Sequence, residues 1–273
     1  MSFYHRNKDG EGNTFLTGRR GTGMDKKLNF VEHFEELRKR LIISAVAFIL
    51  FLVLGLMYVK NIYLFFMGDL GYKLMILGPS DIMWIYFHIA TVVAVAGTIP
   101  VAAWQIWLFV KPALKPLERR VTLAYVPAMF FLFIGGLAFG YYFIFPNIMR
   151  FLIHLGKDLM TTSFTADKYF SFLINMTLPF GIAFEMPLVS MFLTTLGLVN
   201  PYKIVKLRKY TYLILVLIAS MISPPEFISH ISVAIPLILL YEISILLSKR
   251  VYRRKQKQML VLNDDVKTNN LIL

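Results

Sequence analysis

Six apolar segments separated by short polar connections constrain this chain more than any other feature. A run of about 20 apolar residues spans a hydrocarbon layer of about 30 Å, and most of the segments approach that length. The basic residues alternate around them. Of 29 Lys and Arg, nine fall in residues 1–40, four in 109–120, four in 198–209 and seven in 248–273. The alternate connections hold only Lys60, Lys73, Arg150, Lys157 and Lys168. Lys and Arg at the ends of a spanning helix resist translocation. The pattern therefore predicts a multi-pass plasma-membrane protein with both termini in the cytoplasm.

The spacing predicts an all-α membrane protein with six transmembrane helices in a concave bundle. The spans are expected at Leu41–Tyr58, Trp84–Leu108, Val121–Phe145, Phe170–Leu196, Tyr210–Ser223 and Ile231–Leu247. Ahead of the first, Phe30, Val31, Phe34, Leu37 and Leu41 recur at helical spacing, which predicts an amphipathic helix at the membrane surface. The chain divides into a polar tail at 1–27, expected to be disordered, a membrane domain at 28–248 and a basic cytoplasmic tail at 249–273. No cleavable signal peptide is expected, because residues 1–40 are polar and the first apolar run is too long for one.

The fifth segment is short. Its apolar core of about 14 residues covers about 21 Å. Ser223-Pro224-Pro225-Glu226 then turns the chain, since two prolines cannot continue a helix. Either flanking lysines snorkel or the bilayer is locally thin. Prolines 100, 127, 146, 179, 187 and 236 lie in or near the spans and predict bent helices.

The net charge of +13 does not point to nucleic acid here. The basic residues flank apolar spans, where anionic headgroups are their neighbours. With no Cys, thiolate metal sites, disulfides and thiol nucleophiles are excluded. No zinc-binding His-Glu-x-x-His, Gly-x-Ser-x-Gly elbow or phosphate-binding Gly-rich loop is present. The chain is expected to be no enzyme and to carry no metal or cofactor.

Three acidic positions carry the functional argument. Glu35 and Glu36 precede Lys39 and Arg40 by one turn, a spacing that stabilises a helix by about 0.2–0.5 kcal/mol per pair. That leaves open why two acids sit where anionic lipid repels them. Glu118 is the only acid of its loop, and either pairs with Arg119 or Arg120 or receives an incoming cation. Two carboxylates from different cytoplasmic segments, close in space, would bind guanidinium groups through bidentate hydrogen bonds. Glu185 falls in mid-span, where an ionisable group is a functional candidate. Its alternative is a neutral Glu bonded to a carbonyl freed by Pro187. Glu242 is expected to be interfacial and structural.

These residues lie in motifs that resemble the TatC family, the polytopic core of the twin-arginine (Sec-independent) protein translocase. The motifs are His33-Phe34-Glu35-Glu36-Leu37-Arg38-Lys39-Arg40-Leu41, Gln105-Ile106-Trp107-Leu108-Phe109 with Pro112-Ala113-Leu114 and Glu118-Arg119-Arg120, then Phe145-Pro146, Phe180 to Pro187, and Ser223-Pro224-Pro225-Glu226 with Ala234-Ile235-Pro236. The resemblance runs from about Leu28 to Lys249. It implies a receptor for twin-arginine signal peptides of folded proteins, assembling into an oligomeric complex with single-span TatA-type and, in some systems, TatB-type subunits. Export is then driven by the proton-motive force. By similarity, Glu36 and Glu118 form the signal-peptide site, with Arg38, Phe109, Arg119 and Arg120 around them. Glu185 matches the family's buried Glu, and Met221, Ser223, Glu226 and His230 match a partner-contacting hairpin.

Glu226 departs from the Asp that many relatives carry after the double proline. Arg19-Arg20 is not itself a twin-arginine signal, because Gly21-Thr22-Gly23 follows in place of apolar residues. Two other classes stay in view: a small-solute transporter, which would show a midplane site between repeated halves, and a purely structural scaffold.

Overall fold

A computed structural model describes residues 24–68, 74–114, 119, 122–156, 164–224 and 226–272, with side chains from Phe34 onward except at residues 113, 258–259 and 261–272. The described residues are overwhelmingly helical. Helix α1 runs unbroken over Met24–Gly68, so the expected surface helix and first span are one element. Phe30 and Val31, expected on its apolar face, have side chains outside the described set. Helix α2 covers Pro79–Val110. Its start is written locally: Pro79 occupies the first turn, where its missing N–H costs nothing. The Asp81 carboxylate accepts from the amides of Leu77 (3.0 Å) and Gly78 (3.3 Å).

After a 3₁₀ turn at Lys111–Ala113 come α3 (Tyr125–Phe139), a π-helical turn (Gly140–Ile144) and α4 (Phe145–Gly156). The π turn stands just before Pro146, which has no N–H for the carbonyl four residues back. Asn147 and Arg150 side chains take up nearby carbonyls, those of Phe143 (2.6 Å) and Pro146 (3.2 Å). The expected third span is therefore one long rod with a re-wound middle.

Helices α5 (Ala166–Ala183) and α6 (Met186–Thr195) form the expected fourth span, interrupted at Phe184-Glu185. Pro187 explains the break, because it cannot donate to the Ala183 carbonyl. Helices α7 (Pro201–Lys206) and α8 (Arg208–Ile222) follow, and α9 runs over Phe227–Ile272. Residues 249–272 continue α9 as helix.

Five helical stretches are long and apolar enough to cross a membrane among the described residues: Phe34–Met67, Pro79–Val110, Tyr125–Leu155, Ala166–Thr195 and Phe227–Lys257. The expected fifth span corresponds to α8, whose 15 residues extend about 22 Å.

Helix α5 is the axis of the bundle. Phe170, Leu173, Met176, Phe180 and Ala183 recur every three or four residues and are all buried, and α5 touches α2, α3, α8 and α9. Contact with α3 is backbone to backbone. A Cβ added at Gly136 would lie 2.5 Å from the Phe180 carbonyl oxygen, and one at Gly140 would lie 2.8 Å from Thr177 Cα. Small residues four apart permit such approach between membrane helices, where packing supplies the association energy. At one end of the bundle, Met75 bridges the segment at 164–166. Its amide donates to the Phe164 carbonyl (3.0 Å) and its carbonyl accepts from the Ala166 amide (2.8 Å).

Candidate functional site

Helices α1 and α2 pack antiparallel, which sets Glu36 level with the last turn of α2. Arg40 donates to Glu36 Oε1 through Nε (3.1 Å) and also through Nη2. Its Nη1 reaches across to Gln105 Oε1 on α2 at 3.4 Å. One turn beyond Gln105 lies Phe109, half-buried, so Glu36 and Phe109 share one end of the helix pair. The Arg40 side chain is 19% exposed and that of Glu36 39%, so the carboxylate is the outward member of the pair. Arg38 is exposed beside it, lining an open depression of about 330 Å³ with Glu35, Lys39, Ile42 and Ile43. The second expected pair, Glu35 with Lys39, is not among the ion pairs of the described residues.

The flanks of the following loop are tied to the same end of α2. Buried Trp107 donates Nε1–H to Thr122 Oγ1 (3.1 Å), and the Lys111 ammonium lies 5.3 Å from its ring centroid. Thr122 in turn donates to the Arg119 carbonyl (3.3 Å), and Arg119 Nε donates to the Leu114 carbonyl (3.3 Å). Thus Glu36, Arg38, Phe109 and Arg119 are placed at one end of the bundle by two helices and the bonds among Trp107, Leu114, Arg119 and Thr122. Glu118 and Arg120 lie outside the described residues.

Glu185 sits at the break between α5 and α6, only 9% exposed. Neither carboxyl oxygen has a hydrogen-bond partner among the described residues, so the expected bond to a freed carbonyl is not made there. The Phe133 backbone faces the group without reaching hydrogen-bond geometry. A polar group buried in this way costs stability unless something else compensates it.

At the α8–α9 turn, the four expected residues divide. Met221 is 81% exposed, whereas Ser223 is buried. The Ser223 hydroxyl shares a hydrogen bond with His230 Nδ1 (2.5 Å) and approaches the Ala219 carbonyl (2.8 Å). Glu226 closes the turn through its backbone, donating to the Pro224 carbonyl (2.6 Å) and accepting from the His230 amide (3.0 Å). Met221 and the half-buried Glu226 therefore present the surface, and Ser223 with His230 holds it in shape.

Sequence reasoning missed Gln105 as a site residue, and it missed a polar seam between α6 and α9. Ser190 Oγ donates to the Ser244 carbonyl (3.1 Å), Thr194 and Ser248 hydroxyls meet at 2.5 Å, and Lys255 Nζ donates to the Thr195 carbonyl (2.6 Å). Hydroxyls four apart on both helices were the available signal. Among the described residues, no three His, Asp or Glu side chains gather as a metal site would require.

Long apolar helices around a close-packed centre, with charged pairs at their ends, define an integral membrane protein of several spans. Residues 32–236 match the family model described as Sec-independent protein translocase protein (TatC). The chain is 48% identical over 236 residues to the Sec-independent protein translocase protein TatCd of Bacillus subtilis (strain 168), covering 86% of this chain and 98% of that one. It is 38% identical over 242 residues to the TatC protein of Halalkalibacterium halodurans, covering 85% and 94%. A crystal structure described as the twin arginine translocase receptor TatC superposes with a TM-score of 0.71 at 33% identity, covering 80% of this chain and 99% of that one.

The chain belongs to the TatC family of Sec-independent protein translocase proteins. It is a core subunit of the twin-arginine translocase and a component of protein transport, not an enzyme. Family membership places it in a membrane, in a complex with other Tat subunits.

Proposed function

We propose that this subunit is the receptor for twin-arginine signal peptides, with Glu36 and Glu118 taking the paired guanidinium groups and Arg38, Phe109, Arg119 and Arg120 forming the surrounding surface. The observation that carries this reading is the Glu36 carboxylate, which is outward-facing and already accepts a guanidinium from Arg40. Carboxylate and guanidinium match as planar forks, a geometry an ammonium lacks. The face bearing Glu36 and Arg119 is the cytoplasmic one, with both chain ends on that side, a reading that the distribution of Lys and Arg supports. Helix α8 then crosses a locally thin bilayer as the fifth of six spans.

On the opposite face, the turn holding Met221, Ser223, Glu226 and His230 meets TatA-type single-span subunits, and a TatB-type subunit where one exists, with Met221 and Glu226 at the surface and Ser223 and His230 bracing it. The exposed Met221 and the ordered turn behind it support that assignment. Glu185 acts within the membrane during proton-motive-force-driven export of folded passengers.

The test is photocrosslinking in native membranes, with a probe replacing Arg119 and a twin-arginine precursor or its twin-lysine variant as ligand. Crosslinks to the first alone are expected. Crosslinks to neither, with the protein inserted and intact, would overturn the receptor reading.

A further inference from the structure

Glu36 is not a vacant carboxylate. Arg40 places both Nε and Nη2 on one oxygen, Oε1. No hydrogen bond to Oε2 is formed among the described residues, and the Glu36 side chain is 39% exposed. The same guanidinium extends Nη1 to Gln105 Oε1 at 3.4 Å, a long contact by hydrogen-bond standards. Arg40 therefore stands between two acceptors on two helices, held closely by one and loosely by the other.

The hold on Glu36 is a weak one. A Glu one turn ahead of an Arg on a helix contributes only about 0.2–0.5 kcal/mol. The pair is also strained in purpose if the carboxylate is a receptor, since its own helix supplies the group it must receive. The arrangement has the layout of an exchange: a cation leaving Glu36 has an acceptor already in contact.

We propose that Arg40 is a built-in surrogate for a signal-peptide arginine and sets the specificity of the site by having to be displaced. This rests on the reading of Glu36 as a receptor carboxylate. An incoming guanidinium engages both carboxylate oxygens as a fork, which requires Arg40 to release Oε1. Gln105 then takes up the freed guanidinium, and its side-chain oxygen keeps that group hydrogen-bonded at a half-buried position. A lysine ammonium is a point donor. It takes Oε2 alone, leaves Arg40 in place and shares one carboxylate with a second positive charge. Arginine is favoured because it can complete the exchange, and Gln105 is the residue that makes the exchange inexpensive. Neither residue needs to touch the signal peptide.

The experiment is equilibrium binding of a radiolabelled twin-arginine precursor and its twin-lysine variant to membrane vesicles holding the full-length chain with its partner subunits. The variants are Arg40→Gln, Arg40→Lys, Gln105→Leu and the Arg40→Gln/Gln105→Leu double. Arg40→Gln is expected to raise twin-lysine binding by about twofold, the weight of the competing pair that is removed, and so to narrow the preference for arginine. Arg40→Lys, which keeps the charge and loses the fork, should narrow the preference less. Gln105→Leu should weaken twin-arginine binding several-fold when Arg40 is present and have no effect beside Arg40→Gln. Equal losses for both precursors in Arg40→Gln and Arg40→Lys would overturn the proposal and leave Arg40 as a prop for Glu36. An equal effect of Gln105→Leu in both backgrounds would overturn it too. Failure of the unsubstituted chain to distinguish the two precursors would instead overturn the receptor reading on which the proposal rests.

Discussion

Arg208 donates through Nη2 to Glu242 Oε2 at 2.6 Å, tying the first residue of the short helix α8 to the middle of α9. The other oxygen of the same carboxylate accepts from the Tyr212 hydroxyl. Glu242 stands seven residues before Lys249, about 10 Å along the helix. The pair thus lies inside the end of the apolar stretch of α9. With the Ser223–His230 bond at the opposite end, the α8–α9 hairpin is pinned at both extremities.

Removing one partner of that pair leaves the other charge poorly compensated. Glu242→Leu or Arg208→Leu alone should lower stability in detergent by about 2 kcal/mol, given that a third of each side chain is exposed. The double substitution should cost less than the sum, because no lone charge remains. Thermal unfolding of the four proteins gives the cycle, and strict additivity would contradict a coupled pair.

The contact between α3 and α5 is set by a missing side chain. Gly136→Ala places a Cβ 2.5 Å from the Phe180 carbonyl oxygen, so the helices must part. The expected loss is about 1–3 kcal/mol, the usual cost of overpacking. Gly135→Ala is the control, since its Cβ would meet nothing within 4 Å. It should be neutral or slightly stabilising through better helix propensity. A Gly136→Ala protein as stable as the Gly135→Ala one would show that the close approach is not made in the membrane.

Glu185 carries an uncompensated cost, with both oxygens buried and without a hydrogen-bond partner among the described residues. Glu185→Leu should therefore raise the thermal midpoint, by the equivalent of about 1–3 kcal/mol. Export in membranes should fall at the same time, since costly buried groups are retained for function. A Leu variant less stable than the parent would mean that the carboxyl has partners in the bilayer. Export at the parent rate in Glu185→Gln would count against a titrating role.

At the receptor face, Glu36→Gln keeps the size of the side chain and removes its charge. Signal-peptide crosslinking should fall at least tenfold, the weight of one charge-assisted hydrogen bond. Insertion should be unaffected, because the pair with Arg40 contributes only a few tenths of a kcal/mol to the helix. Glu118→Gln should act in the same direction. Unchanged crosslinking in the double variant would remove both residues from the site.

Most of the architecture was legible in the chain itself. Run length is a local property, and it located the long apolar helices. The Pro224 turn and the short α8 before it were equally local, because proline ends a helix wherever it falls. Less visible were the π turn before Pro146 and the break at Phe184-Glu185. A proline in a membrane helix kinks, re-winds or interrupts it according to which neighbours take up the freed carbonyls.

What the sequence determined by itself is the set of membrane-crossing segments, the side on which positive charge gathers and the family these motifs belong to. Each follows from residues near one another in the chain. The tertiary structure decided which charges meet. Arg40 finds Gln105, 65 residues away, because α1 and α2 pack antiparallel at a particular register. Arg208 finds Glu242, 34 residues away, because the double-proline turn folds α8 back along α9. Glu185 finds no hydrogen-bond partner among the described residues, because the break at Pro187 turns it inward. Pairing requires two helices to be brought to one level, and that level is set by side-chain volumes at contacts such as Gly136 against Phe180, which no local pattern states.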